Sequence, residues 1–226
     1  MAKQTANMVD HNYRVCAHRA LWAYIFVLGI DQIRPQSMSS IEFWCVDLIL
    51  NFLIPCLLIW KFRLLEFAGR DQFGISRFRW EDIGLWIFVA LCFVFANLSG
   101  ALIGRGISSV LPGMPAYDPY YFRYLPSETV LRILAVTYLS STAAFFEELF
   151  FRGMAYVVWM QEPEKRQSFY IFFAVFLFAI IHWRNGAQGV FATLFIGALA
   201  AMIFAKTRDL KSVVVGHFVV NWWAQW

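Results

Sequence analysis

The chain has 226 residues, of which 60% are hydrophobic, 19% aromatic and only 15% charged, with a formal net charge of +4. A soluble domain carries about a quarter charged residues, so this chain lacks the polar surface to face water on all sides. Its basic residues lie in short connectors, where lysine and arginine set membrane orientation, rather than in a dense patch; the expected partner is a lipid bilayer and not a nucleic acid.

The apolar content divides into stretches near the roughly 20 residues that cross a bilayer as a helix. Lipid offers no hydrogen bonds to an open backbone, so spans are helices or closed barrels. Runs such as residues 171–183 (IFFAVFLFAIIHW) do not alternate as a barrel strand would. The fold class is therefore all-α: a polytopic transmembrane bundle of about seven or eight helices, one membrane domain over residues 1–226.

In chain order, residues 1–19 are polar and lead into a short apolar run, Ala20 to Ile30, without a small-residue cleavage site after it. This is read as an uncleaved first span. A second span covers 41–60, a basic loop 61–82, and a third span 83–104. Residues 105–127, rich in Pro, Gly and Tyr, are expected to form an irregular interfacial loop. Residues 128–160 contain no Pro or Gly before Gly153. At 1.5 Å per residue they are about 50 Å of helix, either one tilted helix or a broken one. Spans at 168–183, 187–205 and 212–226 complete the set. The four cysteines, Cys16, Cys45, Cys56 and Cys92, contain no CxxC pair and read as apolar residues. With the N-terminus cytoplasmic, the loops richest in Lys and Arg all fall inside. In the span at 187–205, Gly189, Thr193, Gly197, Ala201 and Ala205 recur every fourth residue, a small-residue stripe against which another helix can pack closely.

Several polar residues interrupt these spans. A charged group at the centre of a span costs about 2.5–3.5 kcal/mol on insertion scales. Glu147, Glu148 and Arg152 nevertheless sit among phenylalanines. Glu148 and Arg152, at i and i+4, can pair on one helix face. Glu147 points about 100° away and is left over. His182 ends an apolar run, and His217 and Asn221 share a face at i and i+4. Together these groups supply a base, a second acid/base and donors for a developing oxyanion, the parts that amide hydrolysis requires. No HExxH pair and no GxSxG elbow is present. Two other classes remain open: a transporter or proton relay using Glu147 and His182, and a non-catalytic membrane scaffold in which the polar groups fix helix register. A relay has no need of the His217/Asn221 pair.

The ordered set EExxxR (Glu147, Glu148, Arg152), FxxxH (Phe178, His182) and HxxxN (His217, Asn221) resembles the CPBP family, which includes the CAAX prenyl endopeptidases and bacterial proteins labelled Abi. The resemblance covers roughly residues 128–226, which makes that segment the expected catalytic core and 1–127 the N-terminal spans and interfacial loop. It implies an intramembrane endopeptidase acting on a peptide or lipid-modified protein near the membrane surface, in a bacterial plasma membrane. By the same resemblance Glu147 activates water, His182 helps hold or deprotonate it, His217 and Asn221 stabilise the oxyanion, and Glu148 with Arg152 is a supporting ion pair. Members have been described as metalloproteases; a metal-free glutamate mechanism without cofactor is preferred, because zinc wants three firm protein ligands, which Glu147, His182 and His217 supply only if their helices converge. Where the family often has Thr-Gly-Ser-Leu, this chain has Thr207-Arg208-Asp209-Leu210.

This parse puts His182 and His217 about 15 Å apart in depth. Polar groups that cannot face lipid must face one another or a wet pocket, so convergence is expected all the same. A Glu147 carboxylate more than about 10 Å from both imidazoles in a coordinate structure would remove the hydrolase reading.

Overall fold

A computed structural model describes residues 2–35, 37–64, 75, 80–110, 120–159 and 163–226. Among these residues there is no strand. The helices are α1 (Ala2–Gln32), α2 (Ser40–Asp47), α3 (Ile54–Lys61), α4 (Asp82–Val110), α5 (Thr129–Glu148), α6 (Ala155–Trp159), α7 (Pro163–Ile180), α8 (Gly186–Thr207) and α9 (Leu210–Ala224). A π-helical segment, Leu48–Leu53, joins α2 to α3, and a second, Leu149–Met154, joins α5 to α6. Each pair is thus one continuous rod, Ser40–Lys61 and Thr129–Trp159, and with Asp82–Val110 and Trp183–Thr207 these are four helices long and apolar enough to cross a membrane. Gln167–Ile180 is apolar but shorter.

Local sequence explains most of the boundaries. Nothing between residues 2 and 28 is Gly or Pro, so the polar start and the apolar run from Ala20 form one helix instead of a tail and a short span. Ser39 and Glu42 form a reciprocal capping box at the start of α2. The Glu128 carboxylate accepts from the N–H groups of Val130 and Leu131 at 3.0 and 2.7 Å, which caps α5 and holds its carboxyl below the usual range. The interfacial loop begins later than expected, because α4 runs on to Val110; residues 111–119 lie outside the described residues, as does most of the basic loop 61–82. The charged turn at 207–210 has a structural use. Arg208 takes the left-handed conformation that ends α8, with its guanidinium 3.4 Å from the centre of the Tyr156 ring, and Asp209 caps α9.

α8 is the central helix, packed on α4 and α7, while α9 packs on α4 and α5. A close approach is made by Gly100 and Gly104 of α4, a GxxxG pair, against the backbone of α8. A Cβ on Gly104 would stand 2.5 Å from the Ala187 carbonyl oxygen, and one on Gly100 2.7 Å from the Ala192 Cα. The small-residue stripe of α8 serves a different neighbour at Gly197, which faces Phe178 and Arg152. We therefore expect Gly100→Ala and Gly104→Ala each to cost about 1–3 kcal/mol through overpacking. Gly106→Ala, which meets nothing within 4 Å, should be neutral or slightly stabilising. Unfolding midpoints in detergent check this; equal midpoints for the three variants would contradict the packing.

Candidate active site

The centre of the Thr129–Trp159 rod is buried on all sides: every residue from 146 to 155 is shielded. A helix so placed has no polar face to turn to solvent, so its charged groups must find partners inside. Glu148 and Arg152 are both 0% exposed. Arg152 Nε lies 3.0 Å from Glu148 Oε2, and the second oxygen of Glu148 accepts from His217 Nδ1 at 2.7 Å. Arg152 also reaches the Gly197 carbonyl at 3.4 Å and lies 4.3 Å from the centre of the Phe178 ring. Gly197 has to be small here, because its Cβ would press on Phe178 at 3.1 Å and stand 3.6 Å from the Arg152 guanidinium. The ion pair spans the start of the π segment, whose wider turn is a feature found mostly at functional sites.

With Glu148 committed, Glu147 is the free acid. It is buried, its Oε2 has no hydrogen-bond partner among the described residues, and His217 Nε2 stands 3.8 Å from it. That is beyond a direct hydrogen bond but close enough for one water to touch both. His182 donates from Nδ1 to the Phe178 carbonyl at 2.7 Å, since a carbonyl oxygen can only accept; Nε2 is left as the acceptor. The Phe178 ring lies between the two imidazoles, 4.9 Å from His182 and 5.7 Å from His217 between ring centres. Glu147, His182, His217 and Asn221 all line one cavity of about 240 Å³.

The structure therefore brings the carboxylate, both imidazoles and the asparagine together, and sets Glu148 and Arg152 behind them. The 15 Å depth difference between the histidines is corrected. The apolar part of α7 is only 14 residues, about 21 Å, and His182 falls in the turn after its end, inside the bundle. His217 sits at the middle of α9, not near its start. Sequence reasoning missed the rest of the cavity wall, which includes Tyr24, Asp31, Asp47, Asn51, Asn97 and Gln225. Asp47 and Asn51, polar residues at i and i+4 inside an apolar run, carried the same signal as His217 and Asn221.

Among the described residues no three His, Cys, Asp or Glu side chains are arranged to hold one metal ion. His217 Nδ1 is committed to Glu148, which leaves Nε2 as its other ring nitrogen.

Residues 129–223, which carry all three motifs, match the family model described as type II CAAX prenyl endopeptidase, Rce1-like. No curated protein matches the chain, and no solved structure does. The match agrees with the resemblance drawn from the motifs over that segment, and among the described residues four helices are long and apolar enough to cross a membrane.

Arg152→Ala should lower stability by about 3–5 kcal/mol, because it takes the cation from a buried carboxylate. Glu147→Ala, which removes an acid with no hydrogen-bonded partner at Oε2, should cost far less. Thermal unfolding in detergent separates the two; equal midpoints would count against the Glu148–Arg152 pair as a stabilising contact.

Proposed function

We propose that the chain is an intramembrane endopeptidase that hydrolyses a peptide bond with a water activated by Glu147. The observation that carries this reading is the uncommitted Glu147 carboxylate at the cavity wall, 3.8 Å from His217 Nε2. Glu147 takes a proton from the water, whose oxygen attacks the peptide carbonyl carbon. His182, with Nε2 as acceptor, orients that water. The Asn221 amide donates to the oxyanion, as does His217 Nε2 when the ring carries both protons. Glu147 then passes its proton to the departing amine as the C–N bond breaks. Glu148 takes no part in bond making; it fixes the His217 ring through Nδ1, as second carboxylates commonly orient an active-site imidazole.

The substrate is a membrane-associated peptide or lipid-modified protein. An apolar groove of about 610 Å³, lined by Phe52, Ile59, Trp60, Phe145 and Phe146, meets the polar cavity at Thr142 and could hold a hydrophobic segment or lipid chain beside the site. The cavity lies at the end of the bundle opposite Lys206, Arg208 and Lys211. With the N-terminus cytoplasmic in a bacterial plasma membrane, it would open toward the outer half.

Glu147→Gln keeps the shape of the side chain but cannot take a proton. We expect it to abolish cleavage of a peptide reporter by the purified protein, a loss of at least about 10²-fold, with the unfolding midpoint retained. Turnover near that of the wild type would remove Glu147 as the base. Strong chelators should leave wild-type activity unchanged; inhibition reversed by added zinc would replace the glutamate mechanism with a metal-dependent one.

A further inference from the structure

The row of polar groups that α9 turns toward the cavity continues past the HxxxN pair. His217, Asn221 and Gln225 follow one another at intervals of four residues, so they share a helix face, and all three line the cavity. Two contacts set their level in the bundle. Glu148 of α5 accepts from His217 at 2.7 Å, and Ser140 of α5 accepts from Gln225 Nε2 at 3.3 Å. Ser140 lies eight residues before Glu148, and Gln225 eight residues after His217. The two helices therefore run antiparallel in register, and Gln225 stands about 12 Å along the bundle from His217, with Asn221 about half-way.

Gln225 is 6% exposed and is held at several points. Its carbonyl accepts from Arg132 at 3.4 Å, its backbone N–H donates to the Trp222 carbonyl at 3.4 Å, and its Nε2 is engaged by the fully buried Ser140. Its Oε1 has no hydrogen-bond partner among the described residues, the same state as Oε2 of Glu147 on the same cavity. A buried acceptor left so is costly unless a ligand meets it. The terminal torsion of a glutamine is broad, so a small turn of the amide directs Oε1 onto a group in the cavity. The spacing says which group. An extended peptide advances about 3.3 Å per residue, and one edge of its backbone presents an N–H and a C=O from every second residue, about 6.6 Å apart. Residues four apart on the α9 face are about 6 Å apart. A peptide lying along α9 with a carbonyl at the Asn221 amide thus carries the N–H of the residue two places on to Gln225. Asn221 supplies the donor for the first group and Gln225 the acceptor for the second.

We propose that Gln225 binds the backbone of the substrate, its Oε1 accepting the N–H two residues from the scissile carbonyl, and so holds the peptide extended along α9. The word scissile rests on the endopeptidase reading, but the contact can be measured without turnover. The full-length Glu147→Gln protein in detergent is titrated with a fluorescein-labelled peptide of leucine and alanine. In further copies of the peptide one backbone amide at a time is replaced by an ester, which removes the N–H and keeps the shape. At one position the ester should weaken binding about tenfold, because it sets an acceptor against Oε1. Adding Gln225→Met should weaken the all-amide peptide about tenfold, reduce the ester effect at that position to about twofold or less, and leave the effects of esters elsewhere unchanged. Gln225→Glu keeps an acceptor at the same place and should keep the ester effect; it provides the comparison should Gln225→Met not fold. An ester effect that survives Gln225→Met, one that Gln225→Glu abolishes, or no position with an ester effect overturns the assignment. Cleavage of the all-amide peptide by the wild-type protein is scored separately. Coupling between Gln225 and one N–H without any cleavage overturns the endopeptidase reading alone. Cleavage without that coupling overturns the assignment of Gln225 alone, and failure of every peptide to bind counts against both.

Discussion

A carboxylate with no access to solvent, Glu148, governs the arrangement of the whole bundle. Left unpaired in so dry a place it would cost several kcal/mol, so the chain surrounds it with donors from different helices. Arg152 comes from its own rod and His217 from α9. Arg152 in turn reaches the Gly197 carbonyl of α8 and the Phe178 ring of α7. Four elements thereby meet at one buried charge. The next residue back, Glu147, projects about 100° away around the helix, toward the cavity rather than into this network. The pairing of Glu148 leaves Glu147 outside the network, at the cavity wall.

That division of labour was visible in the sequence, because it depends on local spacing. The i, i+4 relation of Glu148 and Arg152, the leftover direction of Glu147 and the shared face of His217 and Asn221 follow from helix periodicity alone. The depth of His182 did not, because hydropathy locates an apolar run without saying where the helix within it stops. The backbone leaves the helix after Ile180, two residues before His182. The π segments were equally hidden: no Pro or Gly marks the start of either, and the wider turn is set by how the buried side chains pack.

The N-terminal wall of the cavity was missed for a different reason. Tyr24, Asp31, Asp47 and Asn97 reach the site through tertiary packing across helices far apart in sequence. Lipid and protein interior are both apolar, so hydrophobic periodicity does not tell which face of a span turns inward. Polar residues are the better guide. Asp47 and Asn51 stand out in their apolar run as plainly as His217 and Asn221 do in theirs. Small residues guide packing in the same way: the Gly100/Gly104 pair marks a close helix contact, while Gly197 of the five-residue stripe makes room for an arginine.

The cavity combines two chemistries that lipid separates elsewhere: a polar wall able to handle water and an apolar groove reached past Thr142. A membrane-associated chain could lie in the groove and present its backbone to Glu147 without crossing bulk water. The most direct measurement of this account is a comparison of protein N-termini in membranes from cells expressing the wild-type chain and from cells expressing Glu147→Ala at equal abundance. The account predicts new N-termini, confined to membrane-associated proteins and cut near the bilayer surface, that are present with the wild type and absent with the variant. Identical sets of termini, with both proteins folded and in the membrane, would contradict it.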